Sequence, residues 1–468
     1  MDGCKNRRMR HFDLCVIGSG SGNSIVDERF DDLSVALIDS GERFGGTCLN
    51  AGCIPTKMFV YPADLVVEAG RAGRVGVTAE ARADWRAVRD RIFGRIDPIS
   101  ESGEEWRRSN RNLTLYREPA RFTGERRLTV GDETITADRF VLAAGSRPWL
   151  PDLAGLDDPR VAARVHTSDD IMRLDDLPAS LVIIGGGCVA AEFAHVFAAF
   201  GTKVTVLQRS DVLLRREDAE IAEAFTEQLA QRVNLRLRQH VAGIDYTDRD
   251  TVIVETVDEK GIHYDFEAER VLLALGRIPN SDLLDVTATG VTVDDDGLVI
   301  VDDEQQTVVP GIFALGDLSS PHQLKHVANH EARVVQHNLL DPRHMIAADH
   351  RFVPHAVFSE PQVASVGLTE QQAEAAGRRF VTARHDYGAV AYGWAMEDSD
   401  HFVKLIADPD TGQLLGAHIL GPQATVLIQP LIQAMSFGLD VASMARGQYW
   451  IHPSLTEVVE NALLKLGL

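Results

Sequence analysis

The chain has 468 residues, of which 45% are hydrophobic and 25% are charged, a composition typical of a protein with two to four globular domains. Its formal net charge of −22 argues against nucleic acid or an anionic membrane as the main partner. Five cysteines without a secretory segment indicate a reducing compartment, and no apolar run is long enough to span a membrane. We therefore predict a cytoplasmic protein with no nucleic-acid partner, no membrane span and no metal site.

The first motif is a dinucleotide-binding pattern near the N-terminus. An apolar strand over 12–17 leads into a glycine turn with Gly18, Gly20 and Ser21, and a second strand ends at Asp39. Strand, glycine turn, helix, strand and acid form a unit whose backbone N–H groups bind a pyrophosphate and whose acid binds a ribose hydroxyl. Asn23 stands where a third glycine is expected, which predicts slightly altered packing of the helix against the strand.

Two cysteines follow in the segment GGTCLNAGCIPTK, at positions 48 and 53. In a regular helix, residues five apart have Cα atoms about 8–9 Å apart, too far for a disulfide. Gly52 loosens the backbone and Pro55 interrupts helical hydrogen bonding, so Cys48 and Cys53 can close a small, strained ring. Such a disulfide suits thiol–disulfide exchange, although this motif alone leaves two ordinary buried thiols as the alternative.

The nucleotide-binding pattern recurs later in the chain. A strand over 181–185 enters a turn containing Gly185, Gly187 and Ala190, and an apolar helix and a strand over 203–207 follow. Two such units imply two bound dinucleotides.

The second unit lacks the acid that ends the first. Its second strand ends in Gln208 and Arg209, with Arg215 close by. An acid would bind a free 2′-hydroxyl, whereas arginines can bind a 2′-phosphate. The pattern favours NADPH over NADH, unless these are ordinary surface arginines.

Three further segments suggest how the chain is divided. Buried strands followed by Gly/Pro turns, at 141–148 and 271–280, are typical of crossings, the points where the chain leaves one domain and enters another. A strand ends near Asp317, a plausible partner for a polyol hydroxyl. Beyond about residue 344, the segment 403–421 predicts two strands joined by a turn, and helical spacing of apolar residues follows at 426–438 and 454–466. We predict a third, α+β domain there.

Taken together, these motifs resemble the pyridine nucleotide–disulfide oxidoreductases. The resemblance covers essentially the whole chain, and its most specific elements are GGTCLNAGCIPTK, GDLSS and HPSLTEVVE. It implies an α/β fold with two Rossmann-like dinucleotide-binding domains, for FAD and NADPH, and a C-terminal α+β dimerisation domain that makes a homodimer. The implied boundaries are 1–148 and 277–343 for the FAD domain, 149–276 for the NADPH domain and 344–468 for the interface domain.

The resemblance also implies catalytic roles. Cys53 would lie against the flavin as a thiolate, and Cys48 would attack the substrate disulfide. His452 of the partner subunit would protonate the leaving thiolate, with Glu457 orienting it. The residues support the last pairing, because Pro453 suits the first turn of a helix and a carboxylate at 457 can reach back to the imidazole and fix its tautomer.

The resemblance also assigns cofactor contacts to individual positions of this sequence. Lys57 would pair with Glu192 near the flavin N5 edge. Cys188 occupies a position that is often a gating aromatic, and we interpret it as a small core residue; Cys4 and Cys15 are read as structural or inert. The remaining positions that the resemblance assigns to cofactor binding are Thr47, Ala120, Gly145, Gly276, Arg277 and Asp317.

The predicted function is therefore a disulfide reductase in which NADPH reduces FAD, FAD reduces the cysteine pair, and the pair reduces a small-molecule disulfide. The segments GSGSGNSIVDER, IPTKMFVY and YGWAMED narrow the resemblance to a reductase of a sugar-based thiol. Asp27 and Glu28 also favour a sugar-based thiol over glutathione, because acids there would repel the carboxylates of glutathione.

Two alternatives stay open. A dihydrolipoamide dehydrogenase would run the reaction toward NAD⁺, and it would need an acid in place of Gln208 and Arg209. A non-catalytic flavin-binding scaffold would need neither the two cysteines nor His452 and Glu457.

Overall fold

The computed structural model describes residues 8–468, which cluster into two compact units. The first unit comprises the described chain up to Pro55 together with Asp90–Trp149 and Gly276–His350, and the second comprises Thr56–Arg89, Leu150–Leu275 and Arg351–Leu468. Within 8–468, no helix is both long and apolar enough to cross a membrane. Cys4 lies outside the described residues. The predicted domain boundaries at 148, 276 and 343 remain predictions.

The strands of the described chain are, in order, Arg8–Ile17 (β1), Val35–Ile38 (β2), Leu113–Tyr116 (β3), Ala120–Gly124 (β4), Arg127–Val130 (β5), Glu133–Leu142 (β6), Ser146–Pro148 (β7), Val165–His166 (β8), Ser180–Ile184 (β9), Lys203–Leu207 (β10), Asn234–Arg236 (β11), Gln239–Tyr246 (β12), Val252–Asp258 (β13), His263–Ala268 (β14), Arg270–Leu273 (β15), Arg277–Pro279 (β16), Ile312–Ala314 (β17), His355–Val357 (β18), Val363–Gly367 (β19), Val381–Asp386 (β20), Phe402–Ala407 (β21) and Leu414–Leu420 (β22).

The α-helices are Gly46–Asn50 (α1), Cys53–Arg71 (α2), Trp85–Ser109 (α3), Pro159–Ala162 (α4), Cys188–Phe200 (α5), Ala219–Ala230 (α6), Ser281–Leu284 (α7), Lys325–Leu340 (α8), Glu370–Ala375 (α9), Ala391–Ala395 (α10), Ala424–Leu427 (α11), Gln429–Phe437 (α12), Val441–Arg446 (α13) and Thr456–Lys465 (α14). Short 3₁₀ turns cover Gly22–Ser24, Glu28–Phe30, Ala72–Val75, Ile171–Arg173, Val286–Thr289, Gly316–Leu318 and Tyr387–Ala389.

The first unit is built on a sheet in the order β3-β2-β1-β6-β5-β4, with β17 beside β6. The pairs β1–β2, β1–β6, β2–β3 and β6–β17 are parallel. Successive side chains of β1 enter two different cores, Cys15 and Ile17 on one face and Leu14 and Val16 on the other. A parallel strand covered on both faces requires such a continuous apolar run. The predicted strands at 12–17 and 35–39 are confirmed, and burial raises the pKa of the Cys15 thiol, which keeps it protonated.

The prediction of a helix between β1 and β2 is wrong. The chain instead forms two 3₁₀ turns, because Asp27 adopts an extended backbone (φ −131°, ψ −168°) and its carboxylate accepts from the Arg29 N–H. A short side chain that bonds the local backbone in this way competes with helical hydrogen bonds. The residue that packs closely against the neighbouring chain is Gly22 rather than residue 23, because a Cβ on Gly22 would lie 2.7 Å from Ala143 Cβ. Asn23 Oδ1 accepts instead from the buried Arg107 Nε at 2.6 Å.

The turns that follow the two predicted crossing strands, with β7 and β16, lie side by side in the first unit. Strands β7 and β16 pair antiparallel, with Ser146 opposite Pro279. The Trp149 N–H donates to the Gly276 carbonyl at 2.9 Å, and the Asn280 N–H donates to the Gly145 carbonyl at 3.0 Å. The two passages of the chain are thus joined by backbone hydrogen bonds.

The second unit contains three sheets. The first, in the order β11-β10-β9-β15-β8, is parallel, and α5 connects β9 to β10, as the second nucleotide-binding pattern predicts. The second is the antiparallel sheet β12-β13-β14. The third, in the order β18-β19-β22-β21-β20, is antiparallel and shares a core with α12, α13 and α14. The strand pair predicted within 403–421 and the helix predicted over 454–466 are confirmed. The helix predicted over 426–438 is divided into α11 and α12, because Pro430 lacks the N–H that a continuous helix needs.

Candidate functional site

The two cysteines of the GGTCLNAGCIPTK segment lie on either side of a break between helices. Cys48 is half-buried in α1, and Cys53 is exposed at the first residue of α2. Gly52 lies at the break, where a Cβ would make a tight contact of 3.1 Å with the Thr47 carbonyl oxygen. Pro55 lies in the first turn of α2, where a missing N–H costs nothing. In a helix continuous from α1 into α2, the N–H of residue 55 would donate to the Ala51 carbonyl, and proline has none, so Pro55 interrupts helical hydrogen bonding at this break as predicted.

The cysteine segment is held against the first glycine turn. The Gly45 N–H donates to Ser19 Oγ at 2.7 Å. A Cβ on Gly46 would lie 2.7 Å from Gly20 Cα, so the N-terminus of α1 packs directly on the turn. Thr47, a predicted FAD contact, is the second residue of α1 and is brought to the same place.

The first glycine turn has the geometry of an anion site. Gly18 has φ +114°, and a Cβ there would lie 2.1 Å from the Ala143 carbonyl oxygen, so only glycine fits. The buried Ser21 follows Gly20, and the backbone N–H groups of these two residues have no acceptor among the described residues. N–H donors left unpaired in a turn of this kind are suited to a pyrophosphate.

Asp39 follows β2 and faces this turn. Its Oδ2 accepts from the Ser19 N–H at 2.8 Å, and its Oδ1 lies 2.7 Å from Arg117 Nη1. The carboxylate is therefore fixed beside the glycine turn, where the sequence predicts a ribose contact. Arg117 was missed, because nothing local to residue 117 links it to residue 39.

Several predicted flavin positions meet where β7 and β16 pair. The Ser146 hydroxyl donates to Asp317 Oδ2 at 2.7 Å and accepts from Arg277 Nε at 2.8 Å. Gly145 (φ +67°) and Gly276 (φ +111°) flank this group in left-handed conformations. Ser146 was not predicted, although its place between Gly145 and the Arg-Pro turn was a local signal. Ala120 lies apart from them at the start of β4, buried and paired with Val130.

The second glycine turn repeats the geometry of the first. Gly185 has φ +127°, and a Cβ there would lie 2.3 Å from the Ala274 carbonyl oxygen. Gly187 is the N-cap of α5 and has no side chain to cap the first N–H groups, and Ala190 is buried in the first turn of that helix. The N-terminus of α5 therefore presents its donors to a phosphate.

The loop after β10 folds back onto this turn. A Cβ on Gly186 would lie 2.7 Å from Gln208 Nε2, and the Leu214 N–H donates to the Gly186 carbonyl at 2.8 Å. Arg209 and Arg215 are exposed, and their guanidinium groups have no hydrogen-bond or ion-pair partner in the described part of the chain. Arg216, which was not predicted as a binding residue, is also exposed and has no such partner among the described residues.

Lys57 and Glu192 form the ion pair that the resemblance predicts. Lys57 Nζ lies 2.7 Å from Glu192 Oε2 and 2.8 Å from Oε1, and the glutamate is 8% exposed. The Phe358 N–H donates to Glu192 Oε1 at 2.9 Å, and the Phe358 ring lies 4.7 Å from the lysine nitrogen. Phe358 was missed, since it is far away in sequence. Within the second unit, these contacts attach the part of α2 that carries Lys57 to α5.

Cys188 opens α5 close to this pair. Surrounding protein raises the pKa of its thiol, and the Glu192 carboxylate adds to that effect. A protonated thiol is a poor nucleophile. The interpretation of Cys188 as a small core residue is wrong, because it is exposed at the first residue of α5; a protonated thiol there still argues against a redox role.

His452 and Glu457 contact each other as predicted. His452 Nδ1 lies 2.7 Å from Glu457 Oε1, and the hydrogen bond from the histidine lowers the pKa of this carboxyl. The imidazole is 72% exposed. The prediction that Pro453 lies in the first turn of the helix is wrong, because α14 begins three residues later; the Ser454 N–H, in the connecting turn, donates to Glu457 Oε2 at 3.2 Å. The carboxylate therefore takes the Nδ1–H, which leaves Nε2 facing solvent.

Comparison with known proteins agrees with this geometry. Residues 12–332 match the family described as pyridine nucleotide-disulphide oxidoreductase, and residues 353–463 match its dimerisation domain. A mycothione reductase from Mycobacterium tuberculosis is 52% identical, covering 98% of this chain and 100% of that protein. A dihydrolipoyl dehydrogenase from Halobacterium salinarum is 34% identical, covering 96% and 95%. A solved structure of the HOCl-induced flavoprotein disulfide reductase RclA from Escherichia coli, in complex with Cu(II), has a TM-score of 0.85 at 27% identity, covering 98% and 100%.

The chain belongs to the pyridine nucleotide-disulphide oxidoreductase family. It is an oxidoreductase that uses FAD and a pyridine nucleotide. The first glycine turn fits FAD, because unpaired N–H donors and the fixed Asp39 carboxylate match a pyrophosphate and a ribose.

Proposed function

We propose that the chain is an NADPH-dependent reductase of mycothiol disulfide (mycothione), acting as a cytoplasmic homodimer through FAD and a Cys48–Cys53 disulfide. The observation that carries the proposal is 52% identity over nearly the whole of both chains to a mycothione reductase. This is the family member to which the sequence motifs point.

The loop after β10 supports NADPH as the electron donor. Arg209 and Arg215 are exposed beside the glycine turn of α5, and no carboxylate of the described chain neutralises them. Guanidinium groups in this place can bind the 2′-phosphate of NADPH, and the strand end lacks the acid that binds the free 2′-hydroxyl of NADH.

In the proposed thiol chemistry, the two cysteines have the roles that the family resemblance assigns. When bound, FAD supplies two-electron transfer from the nicotinamide to the cysteine disulfide. The reduced Cys48 sulfur then attacks the substrate disulfide, forming a mixed disulfide and releasing one thiolate. Cys53 attacks the Cys48 sulfur, which releases the second thiol and restores the Cys48–Cys53 bond. Two electrons pass from the cysteines to one substrate disulfide, and two thiols leave.

A proton donor completes this exchange. His452 of the partner subunit would give its Nε2 proton to the first leaving thiolate, and Glu457 stabilises the charged imidazole through Nδ1. An exposed histidine held by a carboxylate suits this role, because one ring nitrogen is fixed and the other is available.

The exposed apolar side chains support a homodimer. Val426, Phe437, Tyr449 and Ile451 are 67%, 77%, 104% and 74% exposed, and all lie within the segment that matches the dimerisation domain. Large apolar side chains exposed on one domain indicate an interaction surface. A second copy that covers them would also bring its own His452 to a neighbouring surface.

Selection of the substrate rests partly on Glu28. Asp27 is paired with Arg29, with Oδ2 2.5 Å from Nη2, and Gln336 also donates to Asp27 at 3.1 Å. Its charge is therefore largely compensated, and the carboxylate that could repel glutathione is the exposed Glu28.

Dihydrolipoyl dehydrogenase activity is the less supported alternative. The relatives of that kind are 30–34% identical, and the strand end at Gln208 lacks the acid that NAD⁺ would favour.

The decisive test is a matrix of substrates and nucleotides on the purified holoenzyme. Mycothiol disulfide, glutathione disulfide and lipoamide would each be assayed with NADPH and NADH, and dihydrolipoamide with NAD⁺. We expect kcat/KM to be highest for mycothiol disulfide with NADPH, by at least tenfold. Faster glutathione disulfide reduction or efficient NAD⁺-linked dihydrolipoamide oxidation would refute the proposed substrate.

A further inference from the structure

A lysine from a distant element reaches the first glycine turn. Lys325 is the first residue of α8, and its Nζ lies 2.8 Å from the Ser21 Oγ. One helical turn later, Asn329 Oδ1 accepts from the same hydroxyl at 3.0 Å. Two residues on one face of α8 therefore converge on Ser21, which is 8% exposed.

The lysine has no opposing charge in the described part of the chain. Its side chain makes no ion pair with any described carboxylate, and the Ser21 hydroxyl is its hydrogen-bond acceptor there. The N–H groups of Gly20 and Ser21 also lack an acceptor among the described residues. An uncompensated ammonium beside unpaired N–H donors in a buried turn is a built site for an anion.

This part of the fold also lacks the usual source of positive potential. In a dinucleotide-binding unit, the dipole of a long helix after the glycine turn favours the pyrophosphate. Here the turn is followed by the three-residue 3₁₀ turn Gly22–Ser24, and the chain becomes extended at Asp27. So short a segment has few aligned peptide dipoles, so the positive charge has to come from another element.

We propose that Lys325 is a binding residue for the FAD pyrophosphate, supplying the positive charge that the shortened segment after β1 does not provide. Asn329 is a positioning residue, because it holds the Ser21 hydroxyl so that its oxygen accepts from the lysine. The inference rests on FAD binding at the first glycine turn and is independent of the disulfide that the enzyme reduces.

The test compares FAD release from holoenzyme variants. Lys325→Met removes the charge, Lys325→Gln keeps a hydrogen-bond donor without charge, and Lys325→Arg keeps the charge. Flavin fluorescence would report the rate of FAD release at several KCl concentrations. Lys260→Met, an exposed lysine in the β13–β14 turn, is the matched control.

We expect Lys325→Met and Lys325→Gln to release FAD about ten- to a hundredfold faster than the wild type, which is the effect of losing one charge-assisted contact. Their release rates should also depend less on salt, because one phosphate contact is no longer screened. Lys325→Arg should stay within about threefold, and Lys260→Met should not differ.

Two results would overturn the proposal. Wild-type release from Lys325→Gln would mean that the charge is not needed. Faster release with an unchanged salt dependence would mean that the lysine only supports the fold of the turn. Should Lys325→Met fail to fold, the Gln and Arg variants decide, since both retain a donor for Ser21. A failed assay with mycothiol disulfide would leave this measurement unaffected.

Discussion

Replacing Arg209 and Arg215 together by glutamine should convert the preference for NADPH into near indifference between the two nucleotides. Both guanidinium groups are exposed and have no described partner, so their removal breaks no internal contact and should not destabilise the fold. An exposed guanidinium–phosphate contact is worth about 1.5 kcal/mol, the lower end for hydrogen bonds to charged groups. Two such contacts amount to about 3 kcal/mol, or roughly a hundredfold in affinity, if they add.

The assay is the steady-state KM for each nucleotide at a saturating disulfide concentration. The double variant should show a rise of about 30- to 100-fold for NADPH and less than threefold for NADH, which has no 2′-phosphate. Arg249→Gln is the control, because Arg249 is exposed in the same unit but paired with Glu267 at 2.6 Å. Equal losses with NADPH and NADH would refute the assignment and indicate general attraction of anions.

Three other predictions test separate parts of the site. His452→Ala should leave the rate of flavin reduction by NADPH, measured by stopped flow, within twofold of the wild type. Disulfide turnover should fall by about two to four orders of magnitude, which is the effect of losing a general acid. Slower flavin reduction would contradict this assignment. Cys188→Ser should retain disulfide turnover within about threefold, because a protonated thiol contributes no nucleophile; a loss above tenfold would give it a redox role. Lys404→Met should lower the free energy of unfolding in urea by about 3–5 kcal/mol, because it leaves the fully buried Asp218 carboxylate without its cation. The two groups are 2.9 Å apart in the wild type. A change below 1 kcal/mol would contradict the role assigned to this ion pair.

Contacts within a few residues could be predicted from the sequence. The strand–glycine patterns around Gly18 and Gly185 depend on local backbone geometry, and both strands are confirmed. The pairing of His452 with Glu457 was predictable because they are five positions apart, although the connecting turn at Ser454, rather than a helix, brings them together.

Contacts between distant segments could not be predicted in this way. Arg117 beside Asp39 and Phe358 beside Glu192 depend on how separate elements pack, and residue spacing carries no such information.

The incorrect prediction of a helix after β1 has another cause. Asp27 looks like an ordinary polar residue of an amphipathic helix, yet its carboxylate bonds the Arg29 N–H and starts a new turn. The resemblance predicted the Lys57–Glu192 pair because it carries three-dimensional information that periodicity lacks.

The two glycine turns solve the same steric problem and differ in how they supply charge. In each, the first glycine has a positive φ and lies so close to the carbonyl of a neighbouring strand end, Ala143 or Ala274, that no side chain fits. The second turn opens the thirteen-residue helix α5, and loop arginines are beside it. The first opens only a 3₁₀ turn, and Lys325 comes to it from α8. Because the backbone geometry is common to both turns, it accounts for binding a dinucleotide, whereas the side chains around each turn must account for which dinucleotide is bound and how tightly.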